Sequence, residues 1–199
     1  MTIFMSMFIF ALIGAISPGP VNIIATGTGA NFGFRRALPH VFGATVAYTL
    51  IVLLAGIGLN GLLSAYPQII TTVQYLGAIF LLYMSFKIAT ASTQDDSADI
   101  AKRPPSFLQG ALAQGLNPKA WLVSMSGVSL FVAANTPATL YLLIFCLISF
   151  IVCFIGVSSW AVIGHLIRSF LQNKRHQVLF NVAMGLLLSS TVLSIFINQ

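Results

Sequence analysis

Charge is scarce in this sequence. Only 6% of its 199 residues are charged, glutamate is absent, and the three acidic residues are all aspartates. A soluble domain carries about 25% charged residues, so this chain lacks the polar groups that would cover a surface in water. We therefore expect an integral membrane protein, whose main partner is the lipid bilayer.

Several kinds of active site are missing as well. No aspartate or glutamate lies in an apolar run, and no metal-binding cluster, nucleophile–base pair or phosphate-binding loop is visible. The sequence therefore predicts no enzyme, no cofactor and no nucleotide hydrolysis. The basic residues lie between apolar runs, without a basic and aromatic cluster, which predicts no nucleic-acid partner. The first basic residue is Arg35, so we also expect no cleaved secretory signal.

Cysteine is rare too. Cys146 and Cys153 lie seven residues apart in one apolar run. On a helix this spacing places them on one face, about 10 Å apart along the axis, which is too far for a disulfide. We expect both to be small buried apolar residues.

Long apolar runs dominate what is present. They lack the alternation of barrel strands, and a helix satisfies its own backbone hydrogen bonds in lipid, so the sequence predicts an all-α integral membrane fold. One span needs roughly 20 apolar residues. Six transmembrane helices are predicted, at about 3–28, 38–59, 67–89, 107–133, 138–164 and 178–197.

Basic residues indicate the orientation. Eight of the nine lie in alternate connections, and the other connections, 60–66 and 134–137, contain none. Basic loops remain in the cytoplasm, so both termini are predicted to be periplasmic. The eight residues are Arg35, Arg36, Lys87, Lys102, Arg103, Arg168, Lys174 and Arg175.

A polar linker divides the chain into two similar halves. Residues 1–91 would form a first three-helix repeat, 92–106 a cytoplasmic linker and 107–199 a second three-helix repeat, all within one membrane domain. Because each half has an odd number of helices, the halves would insert with opposite orientations. Each half also opens with a helix that proline interrupts, as in inverted-repeat transporters. We therefore predict two inverted repeats, with helices 1 and 4 broken.

The first interruption is Ser17-Pro18-Gly19-Pro20. Proline inside a helix costs about 3 kcal/mol, so a break is expected here. Ser17 is predicted to cap the restarted helix, with Pro18 at its first position. The free N–H groups of that end would suit a carboxylate, and Asn22 would add an amide. A simple kink that aids packing remains the alternative.

The second interruption is Asn117-Pro118-Lys119. Lys119 is the only charged residue well inside an apolar segment, where a charge costs at least about 2.5–3.5 kcal/mol, so we expect it to face a cavity. Snorkelling to the membrane surface is the alternative. Asn117 is the predicted cap of the restarted helix. The predicted substrate-binding residues are Ser17, Pro18, Gly19, Pro20, Asn22, Gln114, Asn117, Pro118 and Lys119.

These motifs resemble the LysE/RhtB family of amino-acid exporters over the whole chain. The family's Pro-Gly-Pro appears at Pro18-Gly19-Pro20, its Gly-x-Arg-Arg turn at Gly33–Arg36 and its Asn-Pro-Lys at Asn117-Pro118-Lys119. The glycine-led third helix that ends at Lys87 and the late Asn181 with Gly185 also fit. Val21 separates Pro-Gly-Pro from Asn22, whereas many members have asparagine directly there. Among members, the pattern is closest to the cysteine and O-acetylserine exporters.

The resemblance implies a secondary transporter of the bacterial inner membrane that exports amino acids with the ion motive force, the coupling ion being H⁺. No acidic residue lies in the apolar segments to carry that proton, and Lys119 could titrate instead. Because a second cation would lack a carboxylate partner, we expect small neutral substrates such as cysteine, O-acetylserine, homoserine or threonine. A membrane channel and a membrane scaffold protein remain alternatives, and the sequence leaves the oligomeric state open.

Overall fold

The computed structural model describes residues 2–59, 67–90 and 103–197, and these ranges contain helices and turns but no β-strand. Their eight α-helices, in chain order, are α1 (Ile3–Ile16), α2 (Pro20–Phe32), α3 (Phe34–Leu54), α4 (Pro67–Ala89), α5 (Phe107–Gly115), α6 (Pro118–Val128), α7 (Ala138–Leu166) and α8 (Lys174–Ile197). π-helical turns follow α3 at Ala55–Leu59 and α6 at Ser129–Ala133, and a 3₁₀ turn, Phe170–Gln172, precedes α8. The all-helical prediction is confirmed for the described ranges.

Most predicted segments match observed helices, and the differences lie at helix ends. The interrupted segments become the pairs α1–α2 and α5–α6. The second and sixth segments were predicted to start four residues too late, because α3 begins at Phe34 and α8 at Lys174. Each helix therefore includes basic residues before its apolar run, since long basic side chains can reach polar surroundings from a helix end.

Part of the predicted organisation lies outside the described residues. This applies to the connection 60–66 and to 91–102, which contains most of the linker 92–106. After Arg103, α5 begins with a capping box: Ser106 Oγ accepts the N–H of Gln109, whose side-chain oxygen accepts the N–H of Ser106.

The described helices include clear membrane-spanning candidates. The stretches Phe34–Gly58 and Ala138–Leu166 are each long and apolar enough to cross a bilayer. The pair α1–α2 makes a third candidate if its two parts, bent by 60°, form one span. Two shorter apolar stretches, Ala78–Ala89 and Pro118–Ala133, complete the set found in the described ranges. Length and composition thus support two or three of the six predicted spans.

Polar and apolar side chains are distributed as in a membrane protein. Large apolar side chains such as Ile13, Ile79 and Leu179 are about two-thirds exposed, whereas His40 and Asn181 are fully buried. Exposed apolar surface on this scale is rare on soluble monomers. Lipid therefore suits the outside, while the interior accommodates polar groups.

Glycine pairs determine which helices approach most closely. Where α2 crosses α7, a Cβ on Gly29 would overlap the carbonyl of Ala161, and one on Gly164 would overlap that of Thr26. A second pair, Gly43 and Gly110, lies where α3 crosses α5. Small residues allow helix backbones in a membrane to touch. Since α2 and α5 each belong to an interrupted helix, these crossings position both interruptions inside the bundle.

Candidate functional site at two helix breaks

The first break spans Ser17 to Gly19. Ser17 is the C-cap of α1, Gly19 is the extended N-cap of α2, and Pro20 is the first residue of α2. The predictions that Ser17 caps the restarted helix and that Pro18 begins it are therefore wrong. Ser17 and Gly19 each precede a proline, which disfavours helical dihedrals at both, so two consecutive X-Pro pairs keep the chain extended until Pro20.

Asn22 ties the two sides of this break together. Its Nδ2 donates to the carbonyl oxygens of Ala15, at 2.9 Å, and Ser17, at 3.0 Å. The first carbonyl belongs to the last turn of α1 and the second to its C-cap, and both lack partners within that helix. Because the amide hydrogens are used in this way, Asn22 can offer a ligand only its side-chain oxygen, an acceptor.

The second break forms as predicted. Leu116 is the C-cap of α5, Asn117 is the N-cap of α6, and Pro118 is the first residue of α6. Asn117 Oδ1 accepts the backbone N–H of Lys119 at 3.1 Å, and its Nδ2 donates to Gln114 Oε1 at 3.2 Å. Asn117 and Gln114 are both buried, so their side-chain amides close the break inside the bundle.

Lys119 joins the two breaks. Its side chain is half-buried, and Nζ donates to the carbonyl oxygen of Ser17 at 2.9 Å and to Ser17 Oγ at 2.6 Å. A longer contact, 3.5 Å, reaches the carbonyl of Pro18. These carbonyls follow the C-terminal end of α1, where the helix dipole favours a cation. The ammonium is therefore met by dipoles, as the described ranges contain no aspartate or glutamate.

A small cavity lies between the breaks. Five of the nine predicted residues line it: Gly19, Asn22, Gln114, Asn117 and Lys119. About 40 Å³ is open to the centres of water-sized molecules, which is room for a few waters. The other four predicted residues do not line it: Ser17 and Pro18 contact the ammonium of Lys119, and Pro20 and Pro118 begin helices.

Two further polar side chains of this cavity were missed by the sequence analysis. Tyr48 of α3 and Cys153 of α7 are buried and line the cavity together with residues of the two breaks. A tyrosine in the middle of an apolar segment was a usable signal, but it does not indicate which way the ring points. Cys153 was predicted correctly as buried, without any link to the site.

The electrostatics of the cavity favour an anion. The first turn of α2 has neither a side-chain cap nor an acidic residue, so its N–H groups carry the positive end of a helix dipole. Gly19, the N-cap of α2, and Lys119 line the same cavity. A cation and a helix N-terminus together suit a carboxylate, and nearby amide and hydroxyl oxygens can accept from an ammonium group.

Comparison with known proteins gives a consistent result. The sequence model of the family described as "LysE type translocator" matches residues 12–198. Curated proteins named "Cysteine/O-acetylserine efflux protein" from Escherichia coli (strain K12) and Shigella sonnei (strain Ss046) are 28% identical over 196 residues, covering 98% of this chain and 98% of each relative. No solved structure matches the chain.

Proposed function

This chain belongs to the LysE type translocator family, and from that premise we propose that it exports small neutral amino acids or their derivatives across a bacterial inner membrane. A translocator is not an enzyme, and the relatives named as efflux proteins for cysteine and O-acetylserine support amino acids as the substrate class. The observation that carries the proposal is the contact of Lys119 Nζ with Ser17, because it joins the two breaks at one cavity.

Both ends of a zwitterion have partners in this cavity. The substrate carboxylate would bind Lys119 and the N–H groups at the start of α2. Its ammonium would be met by the side-chain oxygens of Asn22 and Gln114 and by the Tyr48 hydroxyl, all on residues that line the cavity. Neutral acceptors can solvate one ammonium group, whereas a second cation beside Lys119 would lack the carboxylate that it needs. This asymmetry favours neutral side chains over those of lysine and arginine.

The size of the cavity requires movement during transport. Space for a few waters is too small for an amino acid, so binding must widen the gap between the breaks. The bonds from Lys119 to Ser17 would then be exchanged for bonds to the substrate carboxylate. Because Ser17 is neutral, this exchange costs less than the rupture of an ion pair would.

Alternating access would follow from two inverted repeats, one before and one after the linker. Three observations support this arrangement. In each half an interrupted helix precedes a long helix and a further helix, and each restarted helix begins at a proline. The first half-helices, α1 and α5, each pack on the long helix of the other half. Rocking of one repeat against the other would open the cavity to each side in turn.

Proton entry is the proposed source of energy. The chain carries no phosphate-binding loop, so it has no means of hydrolysing nucleotide for this purpose. Lys119 is the candidate proton carrier, because its ammonium contacts only neutral groups in the described structure and lies beside the carboxylate site.

Counterflow in proteoliposomes tests the exporter directly. Vesicles loaded with unlabelled O-acetylserine should transiently accumulate external radiolabelled O-acetylserine, while protein-free vesicles should not. A channel would equilibrate label without accumulation, and a scaffold protein would give no flux. Excess cysteine, homoserine or threonine should suppress counterflow strongly, whereas equal concentrations of lysine or arginine should leave most of it. Equal inhibition by the cationic amino acids would refute the charge argument.

A further inference from the structure

A basic groove lies at the ends of α2, α3 and α7, away from the cavity at the breaks. It consists of two adjoining hollows of about 420 and 520 Å³ that share His165 and Arg168. Arg35 and Arg36, from the first turn of α3, line the hollow of about 420 Å³. Three guanidinium groups and an imidazole therefore surround one open space.

Close packing holds one guanidinium at the turn between α2 and α3. Gly33 has a positive φ of 86°, and a Cβ at this position would lie 3.2 Å from Arg168 Nη1. The crossing of α2 and α7 through Gly29 and Gly164 brings the end of α7 to this turn. Arg168 is accordingly only partly exposed, although it lies at a helix end.

The charges of this groove are not balanced within the described chain. Residues 2–59, 67–90 and 103–197 contain no carboxylate side chain. Arg35 and Arg36 also occupy the first turn of α3, where the helix dipole disfavours cations. The three guanidinium groups, two of which are placed against this trend, would be stabilised by an external anion with several acceptor oxygens, such as a phosphodiester, which arginine can bind with two parallel hydrogen bonds.

Apolar side chains indicate that the ligand is amphipathic. Phe34 and Val162 line the hollow of about 420 Å³, and Leu166, which is 69% exposed, lines the hollow of about 520 Å³. A free phosphate ion would gain nothing from these groups, whereas acyl chains would cover them. We propose that the groove binds the headgroup of an anionic phospholipid, with Arg168, Arg35 and Arg36 on the phosphate and the acyl chains along α7.

Binding to the purified full-length chain in detergent tests the proposal. Native mass spectrometry would compare retention of phosphatidylglycerol with that of phosphatidylcholine. Wild-type protein should retain phosphatidylglycerol at least tenfold more strongly. Arg168→Gln should weaken that retention at least fivefold, while Arg175→Gln, which removes the same charge at the start of α8 outside the groove, should change it less than twofold.

Other outcomes would overturn the proposal. Equal losses in Arg168→Gln and Arg175→Gln would show general attraction by positive charge, and equal retention of both lipids would show no headgroup recognition. Displacement of phosphatidylglycerol by equimolar glycerol phosphate would identify a free-anion site. Retention that appears only after Asp95, Asp96 and Asp99 are changed to Asn would make the linker the occupant. If Arg168→Gln cannot be purified, Arg36→Gln against Lys174→Gln provides the same comparison.

Discussion

At the level of single side chains, the partners of Lys119 explain how a cation is kept inside an apolar bundle. Its ammonium contacts the hydroxyl and carbonyl of Ser17 and the carbonyl of Pro18. These carbonyls are available because the break leaves them outside any helix. A lysine held by neutral acceptors remains able to bind a carboxylate, whereas a lysine paired with aspartate would already be neutralised.

Replacing this lysine should stop transport without removing the protein from the membrane. We expect Lys119→Gln to lower export at least tenfold, because glutamine keeps a hydrogen-bond donor but loses the charge that binds the substrate carboxylate. Export of radiolabelled O-acetylserine, normalised to protein in the membrane fraction, provides the measurement. The control is Lys87→Gln at the end of α4, which should retain at least half of the activity. Normal export by a well-expressed Lys119→Gln protein would contradict a central role for this residue.

At the level of helices, two breaks and two glycine crossings shape the site. Each restarted helix begins at a proline, Pro20 or Pro118, which has no N–H to satisfy and a φ suited to a first helical position. The first break is longer because it contains a second proline, Pro18. The backbone atoms that it exposes are the ones that Lys119 contacts.

Removal of both prolines should restore a continuous first helix. In Pro18→Ala/Pro20→Ala, the N–H groups at the start of α2 would pair with the carbonyls at the end of α1, so the cavity would lose one side of its proposed carboxylate site. We expect export to fall at least fivefold while thermal stability stays equal or rises. Pro39→Ala, which removes a proline inside α3, is the matched control and should transport normally. Unchanged transport by the double variant would show that the break is a kink without a role in binding.

A methyl group at the α2–α7 crossing should loosen the bundle. In Gly164→Ala the new Cβ would overlap the carbonyl of Thr26, so the two backbones must separate. We expect a loss of about 1–3 kcal/mol in the free energy of unfolding, seen as a lower thermal midpoint in detergent. Gly115→Ala makes the same change at the end of α5, where a Cβ meets nothing within 4 Å, and should be neutral or slightly stabilising. Equal midpoints for the two variants would remove the close crossing as an explanation of packing.

For the whole molecule, the distribution of charge predicts the orientation in the membrane. Eight basic residues lie in or beside alternate connections and none in the others, and the basic groove lies on the side that this ratio assigns to the cytoplasm. Anionic lipid on that side would oppose translocation of these connections and stabilise the same orientation.

Reporter fusions test that orientation. Alkaline phosphatase fused after Gln199 should be active and green fluorescent protein at the same place should be dark, because both termini are predicted to be periplasmic. Fusions at Ser97, in the linker, should give the opposite pair of results and serve as the control. A fluorescent fusion after Gln199 combined with an active phosphatase at Ser97 would reverse the topology.

Local composition was sufficient to predict the membrane class, most helix positions and the two interruptions. These properties depend on a few neighbouring residues: a run of apolar side chains needs lipid, and a proline cannot continue a helix whatever lies around it. The cap at Asn117 was predictable for the same reason, because donor and acceptor lie two residues apart. The matching prediction for Ser17 failed because either Pro18 or Pro20 could be the first residue of α2, and the local sequence does not indicate which of them it is.

Only the tertiary structure decided which groups the interruptions bring together. Lys119 bonds to a residue 102 positions away, and Tyr48 and Cys153 face the cavity because α3 and α7 are rotated in that sense. The rotation and approach of these helices depend on glycine pairs such as Gly29 with Gly164 and Gly43 with Gly110, whose members belong to different helices. No local pattern encodes such a pairing, because a glycine indicates that a close approach is possible but not which backbone will make it.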